Sequence, residues 1–182
     1  QSMIGSFTTQ QPARINISDD GNRVSVVHGT TWFDSSEVAV WQHFNSDDNA
    51  PIILPHPSLV TSVVFDDPNN RIITTATDQS VRFWDSDSGM LLSKSFHCGY
   101  AMKACLSNNH ARLLVAGGIA ESGHAAIWDI QACAPRKLSH DAPVVTAELA
   151  STGDHIATGS DDGLVVIWNV ANGSRTAELE SD

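Results

Sequence analysis

Short runs of alternating apolar residues recur along the chain, and each ends in a tryptophan. They are Val38-Ala39-Val40-Trp41, Val81-Arg82-Phe83-Trp84, Ala125-Ala126-Ile127-Trp128 and Val165-Val166-Ile167-Trp168. Alternation with a period of two residues is typical of β-strands. No segment sustains the 3.6-residue periodicity of a helix. The pattern returns after roughly forty residues, which indicates repeated structural units.

A second marker lies upstream of each tryptophan, where an apolar strand end meets a polar turn rich in Asp, Asn, Gly or Pro. Such residues favour turns because they adopt positive φ, fix φ or bond to the nearby backbone. The marker occurs at residues 17–23, 65–71, 106–112 and 149–155. Each period therefore has room for four short strands. In the second repeat we predict Val60–Phe65, Ile72–Ala76, Ser80–Asp85 and Met90–Lys94.

These markers together resemble the WD-repeat β-propeller family. The most specific match is Thr158–Asn169, and Thr74–Asp85 is close behind. The resemblance implies an all-β fold of four four-stranded antiparallel blades, with residues 1–182 forming one propeller segment. The approximate repeats are 9–54, 55–94, 95–138 and 139–182.

The resemblance implies that two repeats carry the full structural tetrad of the family. A buried imidazole and a buried indole N–H both need hydrogen-bond partners, which a hydroxyl and a carboxylate supply. We expect the four groups to bond in a chain that locks the outer strands of a blade. The first and third repeats have Val26 and Val115 in place of the threonine, so we expect looser outer strands there. The complete sets are His56, Thr74, Asp78 and Trp84, and His140, Thr158, Asp162 and Trp168.

Propellers of this family usually close with about seven blades. Residues 1–8 resemble the last strand of a blade, as residues 174–180 do. We therefore expect a segment of a seven- or eight-bladed ring, whose first partner is the rest of its own propeller. A self-closed ring of four blades, or a ring completed by a second copy, is the alternative. The repeats lack the Gly-His dipeptide, which suggests a bacterial-type parent protein.

The resemblance also implies a partner surface on the propeller face that bears the loops between blades. In WD-repeat proteins the surface positions lie three and five residues after the tetrad His and one before the tetrad Asp. Their apolar and aromatic character suits a peptide, although they could simply line the channel mouth. Carried over, these positions are Leu59, Thr61, Thr77, Tyr100, Met102, Pro143, Val145 and Asp161.

Trp32 and Phe33 lie in an insertion outside the repeat register. Two adjacent aromatic residues in a loop can be a binding hot spot, or they can cover the edge of a blade that lacks its tetrad. A second insertion carries Glu121 and His124. Two ligands make a poor metal site, so we expect no metal and no cofactor.

The chain has 182 residues and a net charge of −11, with only 10 Lys and Arg residues, which argues against nucleic acid as a partner. No apolar run approaches the length of a membrane helix. Three cysteines without a CxxC pair fit free thiols in the cytoplasm.

We therefore expect a non-enzymatic scaffold that binds a protein or peptide. His, Thr and Asp also make up a hydrolytic triad, but their recurrence in each repeat favours a structural role, and we expect no catalytic residues. One alternative is a sensor propeller fused to a Ser/Thr kinase or NTPase signalling protein. The alternative from another class is an enzymatic propeller that acts on a sugar or small molecule.

Overall fold

The computed structural model describes residues 14–28, 35–42, 50–96, 101–119, 122–130 and 134–180. These segments contain sixteen strands and one 3-10 turn, Asp67–Asn69. The strands form four antiparallel sheets of four strands each, as expected for four blades. The predicted all-β fold is therefore confirmed. No helix within the described segments has the length and apolar character needed to cross a membrane.

The chain divides into two compact units, residues 1–94 and 95–182, with the boundary inside β8. The first sheet contains β1 (Arg14–Ile17), β2 (Arg23–His28), β3 (Ser36–Gln42) and β4 (Ile52–His56). The second contains β5 (Val60–Asp66), β6 (Arg71–Ala76), β7 (Ser80–Asp85) and β8 (Leu91–Phe96). Of the strands predicted for the second repeat, Ser80–Asp85 is reproduced to the residue. The other three differ by one or two residues at their ends.

The second unit repeats the same order of strands. The third sheet contains β9 (Ala101–Leu106), β10 (Arg112–Ile119), β11 (Ser122–Asp129) and β12 (Ala134–His140). The fourth contains β13 (Val144–Leu149), β14 (His155–Ser160), β15 (Leu164–Asn169) and β16 (Arg175–Glu180). Within each sheet the strands lie in chain order, so every connection inside a sheet is a hairpin.

The turn between the first and second strand of each sheet contains one residue with a left-handed backbone. These residues are Gly21 (φ 70°), Asn70 (φ 51°), His110 (φ 54°) and Gly153 (φ 73°). Glycine and asparagine adopt this conformation at low cost, whereas histidine does so less often. The turn marker read from the sequence therefore corresponds to one shared geometry in all four sheets.

Each unit has its hydrophobic core between its two sheets. In the first unit, one face of the first sheet (Val27, Val38, Val40, Leu54) packs with one face of the second (Val63, Phe65, Ile72, Trp84). We call the first of these a forward face and the second a backward face. In the second unit, Ala125, Ile127 and Leu138 form the forward face of the third sheet. Ala147, Ile156 and Trp168 form the backward face of the fourth.

A glycine near the third hairpin of the second and fourth sheets lets neighbouring sheets approach closely. A Cβ on Gly89 would lie 2.3 Å from Cγ2 of Ile52, on the preceding sheet. A Cβ on Gly173 would lie 2.7 Å from Cδ of Arg136, again on the preceding sheet. Ile52 and Arg136 occupy the same place in their sheets, because each pairs with the residue just before the repeat tryptophan. The two units thus use the same close contact.

Candidate functional site

The first strand of three sheets contains a β-bulge at the same place. Pairing shifts between Val60 and Ser62 in β5 and between Val144 and Thr146 in β13. In the third sheet, Ala116 pairs with Lys103 but Gly117 pairs with Ala101. The residues left out of the pairing are Thr61, Val145 and Met102, and all three are predicted surface positions. Bulges commonly re-aim side chains at the rims of sheets and next to binding sites.

A backbone hydrogen bond fixes the geometry beside two of these bulges. The N–H of Asp161 donates to the carbonyl oxygen of Pro143 at 2.9 Å, and the N–H of Thr77 donates to Leu59 at 2.9 Å. In each case the hairpin between the second and third strands is tied to the segment that enters the first strand. The predicted surface positions of the second and fourth sheets therefore lie on backbone that is held by hydrogen bonds.

Exposure divides the predicted surface residues. In the fourth sheet, Val145 is 58% exposed, Asp161 is exposed, and Pro143 is half-buried. We call Asp141, Pro143, Val145, Asp161 and Asp162 the fourth-sheet rim. The rim therefore offers a partner one exposed apolar side chain, that of Val145, beside exposed carboxylates.

Two predicted surface residues of the second sheet are not open to a partner. Thr61 is only 2% exposed and Thr77 only 6%. The hydroxyl of Thr61 lies 2.9 Å from that of Thr75, so its polar group is already satisfied inside the sheet. Both threonines are buried in this structure, and Leu59 from the same sheet is half-buried. Their contact with a partner stays a prediction. Tyr100, Trp32 and Phe33 lie outside the described residues, as does the side chain of Met102.

The fourth-sheet rim is acidic. Asp141, Asp161 and Asp162 are all exposed, and none of them forms an ion pair with a described residue. Asp162 accepts hydrogen bonds from the Ser160 hydroxyl at 2.5 Å and from the N–H of Leu164 at 3.2 Å. These bonds lower the pKa of its carboxyl group, so it is ionised at neutral pH. The rim thus presents fixed negative charge next to Val145.

A chain of hydrogen bonds connects the first sheet with the second. Nε1–H of Trp84 donates to Oγ1 of Thr74 at 2.9 Å, and that hydroxyl lies 2.8 Å from Nε2 of His56. Nδ1 of His56 lies 2.9 Å from the carbonyl oxygen of Leu54, which can only accept. Nδ1 therefore carries the proton, and Nε2 accepts from the threonine. His56 lies on β4 and Thr74 on β6, so these bonds join neighbouring sheets rather than the outer strands of one blade.

The second unit repeats the connection between tryptophan, threonine and histidine, but Nδ1 of His140 is buried without a hydrogen-bond partner among the described residues. Nε1–H of Trp168 donates to Thr158 at 2.7 Å, and Thr158 lies 2.8 Å from Nε2 of His140. Burial lowers the pKa of His56 from 6.5 to about 4 and also lowers that of His140. Both imidazoles are therefore neutral at pH 7, as a hydrogen-bond acceptor at Nε2 requires.

The two aspartates of the predicted tetrads do not bond to the imidazoles. Asp78 instead forms an ion pair with Arg82 at 2.5 Å and accepts from the Ser80 hydroxyl at 2.5 Å. Asp162 bonds to Ser160 and Leu164. In both hairpins, donors within four residues along the chain satisfy the carboxylate first. The expectation that the carboxylate extends the chain is thus wrong.

The third sheet shows the effect of losing the threonine. Val115 pairs with Ala126 as Thr74 pairs with Arg82, so it occupies the same place. The indole N–H of Trp128 is buried and has no hydrogen-bond partner among the described residues. A buried donor without an acceptor costs stability. The unpartnered indole is the consequence of the missing hydroxyl that the structure shows, and the looser outer strands expected for this repeat stay a prediction.

Arginines at the start of the second strand make a further connection that the sequence pattern did not predict. Arg23 of the first sheet forms an ion pair with Asp67 of the second at 2.9 Å. Arg112 of the third sheet donates to the carbonyl oxygen of Gly153 in the fourth at 3.0 Å. Both reach the turn between the first and second strands of the next sheet. The sequence does contain a signal for this connection, because Arg recurs at the start of the second strand, at residues 23, 71 and 112.

Comparison with known proteins agrees with this architecture. A family model described as WD domain, G-beta repeat matches residues 51–85 and 134–169. These segments include the two complete polar sets, whereas Val26 and Val115 are outside them. The chain thus contains two segments that match the WD repeat, and its four four-stranded antiparallel sheets are consistent with propeller blades.

Curated relatives are distant and longer than this chain. The U5 small nuclear ribonucleoprotein 40 kDa protein of Dictyostelium discoideum is 24% identical over 137 residues, covering 75% of this chain and 38% of that protein. A guanine nucleotide-binding protein subunit beta of Solanum tuberosum is 25% identical over 128 residues, covering 65% and 33%. The DENN domain and WD repeat-containing protein SCD1 of Arabidopsis thaliana is 30% identical over 112 residues, covering 60% and 9%. The chain spans well under half the length of each.

Proposed function

We propose that this chain is a non-enzymatic interaction scaffold, and that the fourth-sheet rim binds a peptide segment of a partner protein. The observation that carries this proposal is the exposed Val145 on its bulge, next to the exposed carboxylates of the rim. Relatives support the general role, because their names describe a component of a ribonucleoprotein and a subunit of a guanine nucleotide-binding protein.

The chemistry of the rim defines the peptide that it would bind. An apolar side chain of the peptide would cover Val145, while a Lys or Arg nearby would approach Asp161 and Asp141. A few side chains that become fully buried at the centre of an interface, surrounded by contacts that exclude water, carry much of the binding energy. The charge contributes mainly to association rate and selectivity. We therefore propose a basic, partly apolar segment as the ligand.

Selection from a displayed library of random peptides tests this proposal. Recovered peptides should combine an apolar residue with a nearby Lys or Arg. Their affinity should fall at least tenfold for Val145→Asp, about the effect of losing 1.4 kcal/mol, and should also fall for Asp161→Asn. Met90→Asp is the matched control. Met90 is also an exposed apolar residue, at 62%, but it lies in the hairpin between β7 and β8, away from the rim positions in sequence.

Two results would contradict the proposal. One is the recovery of peptides that lack basic residues and whose affinity is unchanged by Asp161→Asn. The other is an equal loss of affinity for Val145→Asp and Met90→Asp, since that would place the contact away from the rim.

A further inference from the structure

A cleft of about 410 Å³ lies between the third and fourth sheets, away from the fourth-sheet rim. β15 begins next to the rim hairpin, and the cleft lies just beyond its other end, at Val170 and Ala171. The third sheet contributes the opposite wall, which contains Arg112 of β10 and Arg136 of β12. We call this opening the arginine cleft.

An arginine at the equivalent place in the first unit pairs with two carboxylates. Arg23 begins β2 as Arg112 begins β10. Its guanidinium lies 2.9 Å from the carboxylate of Asp67 and 3.8 Å from that of Asp87. Both aspartates belong to turns of the next sheet, the second. Carboxylates suit this place because a guanidinium offers five N–H donors and no acceptor.

The fourth sheet has neither carboxylate at these positions. Ser151 occupies the turn position of Asp67, in the register set by the strand pairs on either side. Ala171 occupies the position of Asp87, because each lies two residues before the left-handed glycine of its hairpin. Among the described residues, Arg112 donates to one backbone carbonyl oxygen of the fourth sheet and forms no ion pair. The second unit thus keeps the arginine and lacks its partners.

A second arginine adds positive charge to the same cleft. Arg136 occupies the place that the apolar Ile52 has in the first unit. Its Nη1 donates to the carbonyl oxygens of Val170 at 3.0 Å and Ala171 at 2.7 Å. Its Nε–H and Nη2 have no acceptor among the described residues, so they remain available to a ligand. Of the described residues that line the cleft, Asp129 alone is acidic, so the two guanidiniums leave the lining net positive.

We propose that the arginine cleft binds an acidic segment of a partner protein, with a side-chain carboxylate between Arg112 and Arg136. The carboxylate would supply what Asp87 supplies to Arg23 in the first unit, where a side chain of a protein segment fills the place. Guanidinium groups bind carboxylates through paired N–H···O bonds, and the exposed ring of Pro135 offers apolar contact beside them. The cleft shares no residue with the fourth-sheet rim, so this inference does not rest on the peptide proposed for the rim.

An NMR titration of the isotope-labelled chain tests this inference, with the peptide acetyl-Glu-Leu-Glu-amide as the probe. The side-chain Nε–H signals of Arg112 and Arg136 should shift on binding, together with the backbone amides of residues 170 and 171. The matched neutral peptide, acetyl-Gln-Leu-Gln-amide, should cause no such shifts. Glutarate, a free dicarboxylic acid, should bind at least tenfold more weakly than the acidic peptide. Equal affinity for glutarate would overturn the assignment to a protein segment.

Substitutions in the cleft provide the second test. Arg112→Gln and Arg136→Gln should each raise the Kd for the acidic peptide at least tenfold. Ala171→Asp is the decisive variant, because it places a carboxylate where Asp87 lies in the second sheet. It should weaken binding as much as the arginine variants do, without lowering the free energy of unfolding. Ala177→Asp, the same change at an exposed position of β16, is the control and should leave the Kd unchanged.

Three results would overturn the inference. One is an equal response to the acidic and the neutral peptide. Another is a set of shifts that excludes the signals of Arg112 and Arg136. The third is the same Kd for Ala171→Asp and Ala177→Asp, since a self-supplied carboxylate must compete with the peptide. Urea denaturation of each variant shows whether a loss of binding reflects unfolding.

Discussion

Nε2 of His56 lies 2.8 Å from Oγ1 of Thr74, although the two residues belong to neighbouring sheets. The same separation, 2.8 Å, is found between His140 and Thr158 in the other unit. Each threonine also accepts the indole N–H of the tryptophan of its own sheet. One hydroxyl therefore connects a tryptophan of one sheet with a histidine of the sheet before it. The polar set thus holds successive sheets together.

Replacing either threonine by valine should destabilise the chain. Thr74→Val and Thr158→Val preserve the shape of the side chain but leave a buried indole N–H and an imidazole nitrogen without a partner. We expect a loss of about 1–3 kcal/mol in the free energy of unfolding for each variant, measured by urea denaturation. Thr176→Val, at an exposed position of β16, is the control and should change little. Equal effects at all three positions would contradict the role of the hydroxyls.

The third sheet allows the reverse experiment. Val115→Thr places a hydroxyl where Trp128 lacks an acceptor. We expect a gain of about 0.5–1.5 kcal/mol in the free energy of unfolding, the usual net contribution of one hydrogen bond. Val115→Ser should give less, because it also removes buried apolar surface. If Val115→Thr is destabilising and the fluorescence of Trp128 does not change, the hydroxyl has not formed the bond.

Stability should fall as the pH is lowered from about 6.5 to about 4. The pKa of His56 is lowered from 6.5 to about 4 by burial, so the unfolded chain binds a proton in this range and the folded chain does not. Proton uptake by the unfolded state reduces the free energy of unfolding, by up to about 3 kcal/mol for this shift. His140 acts in the same direction.

Urea denaturation at a series of pH values measures this effect, with His56→Gln as the control. The variant should be less stable at pH 7 but should lose less stability on acidification. Aspartates of the unfolded chain, with an ordinary pKa of 3.8, begin to bind protons at the lower end of this range. His56→Gln retains all of them, so the difference between the two proteins isolates the effect of the histidine. A free energy of unfolding that is constant from about pH 6.5 to about 4 would contradict a neutral, buried His56.

The arginine contact between the first and second sheets should contribute more than an exposed ion pair. The side chains of Arg23 and Asp67 are each 17% exposed, and Arg23 also donates to Asn70 at 3.3 Å. We expect Arg23→Met to reduce the free energy of unfolding by about 1–3 kcal/mol. Lys103→Met breaks the exposed pair with Glu148 and should cost at most about 1 kcal/mol. Equal losses would show that the Arg23 contact is an ordinary surface pair.

The strands and turns were predictable because they depend on local patterns. Period-two alternation gave the ends of β7 to the residue, and the polar turn marker located all four left-handed turn residues. The pairing of His56, Thr74 and Trp84 also followed, since the resemblance named them and buried donors require acceptors. The strands and turns repeat four times and the polar set twice, which separates them from chance.

The partners of the charged groups and the exposure of the rim were not predictable in the same way. Asp78 has Ser80 and Arg82 beside it, and spacing alone does not rank these donors against the imidazole. Thr61 and Val145 occupy the same bulge position but are 2% and 58% exposed. That difference depends on packing around each sheet, which a repeat pattern does not contain. The reach of Arg23 to the next sheet is likewise a tertiary contact.

Hydrogen–deuterium exchange, measured with and without a selected peptide, tests most directly whether the chain is a scaffold that binds at the fourth-sheet rim. It maps the bound surface without any substitution. Binding at the rim should slow exchange in segments 141–146 and 160–164. Protection confined to the hairpins between the third and fourth strands of the second and fourth sheets, at residues 86–90 and 170–174, with no change at the rim, would contradict binding at the rim.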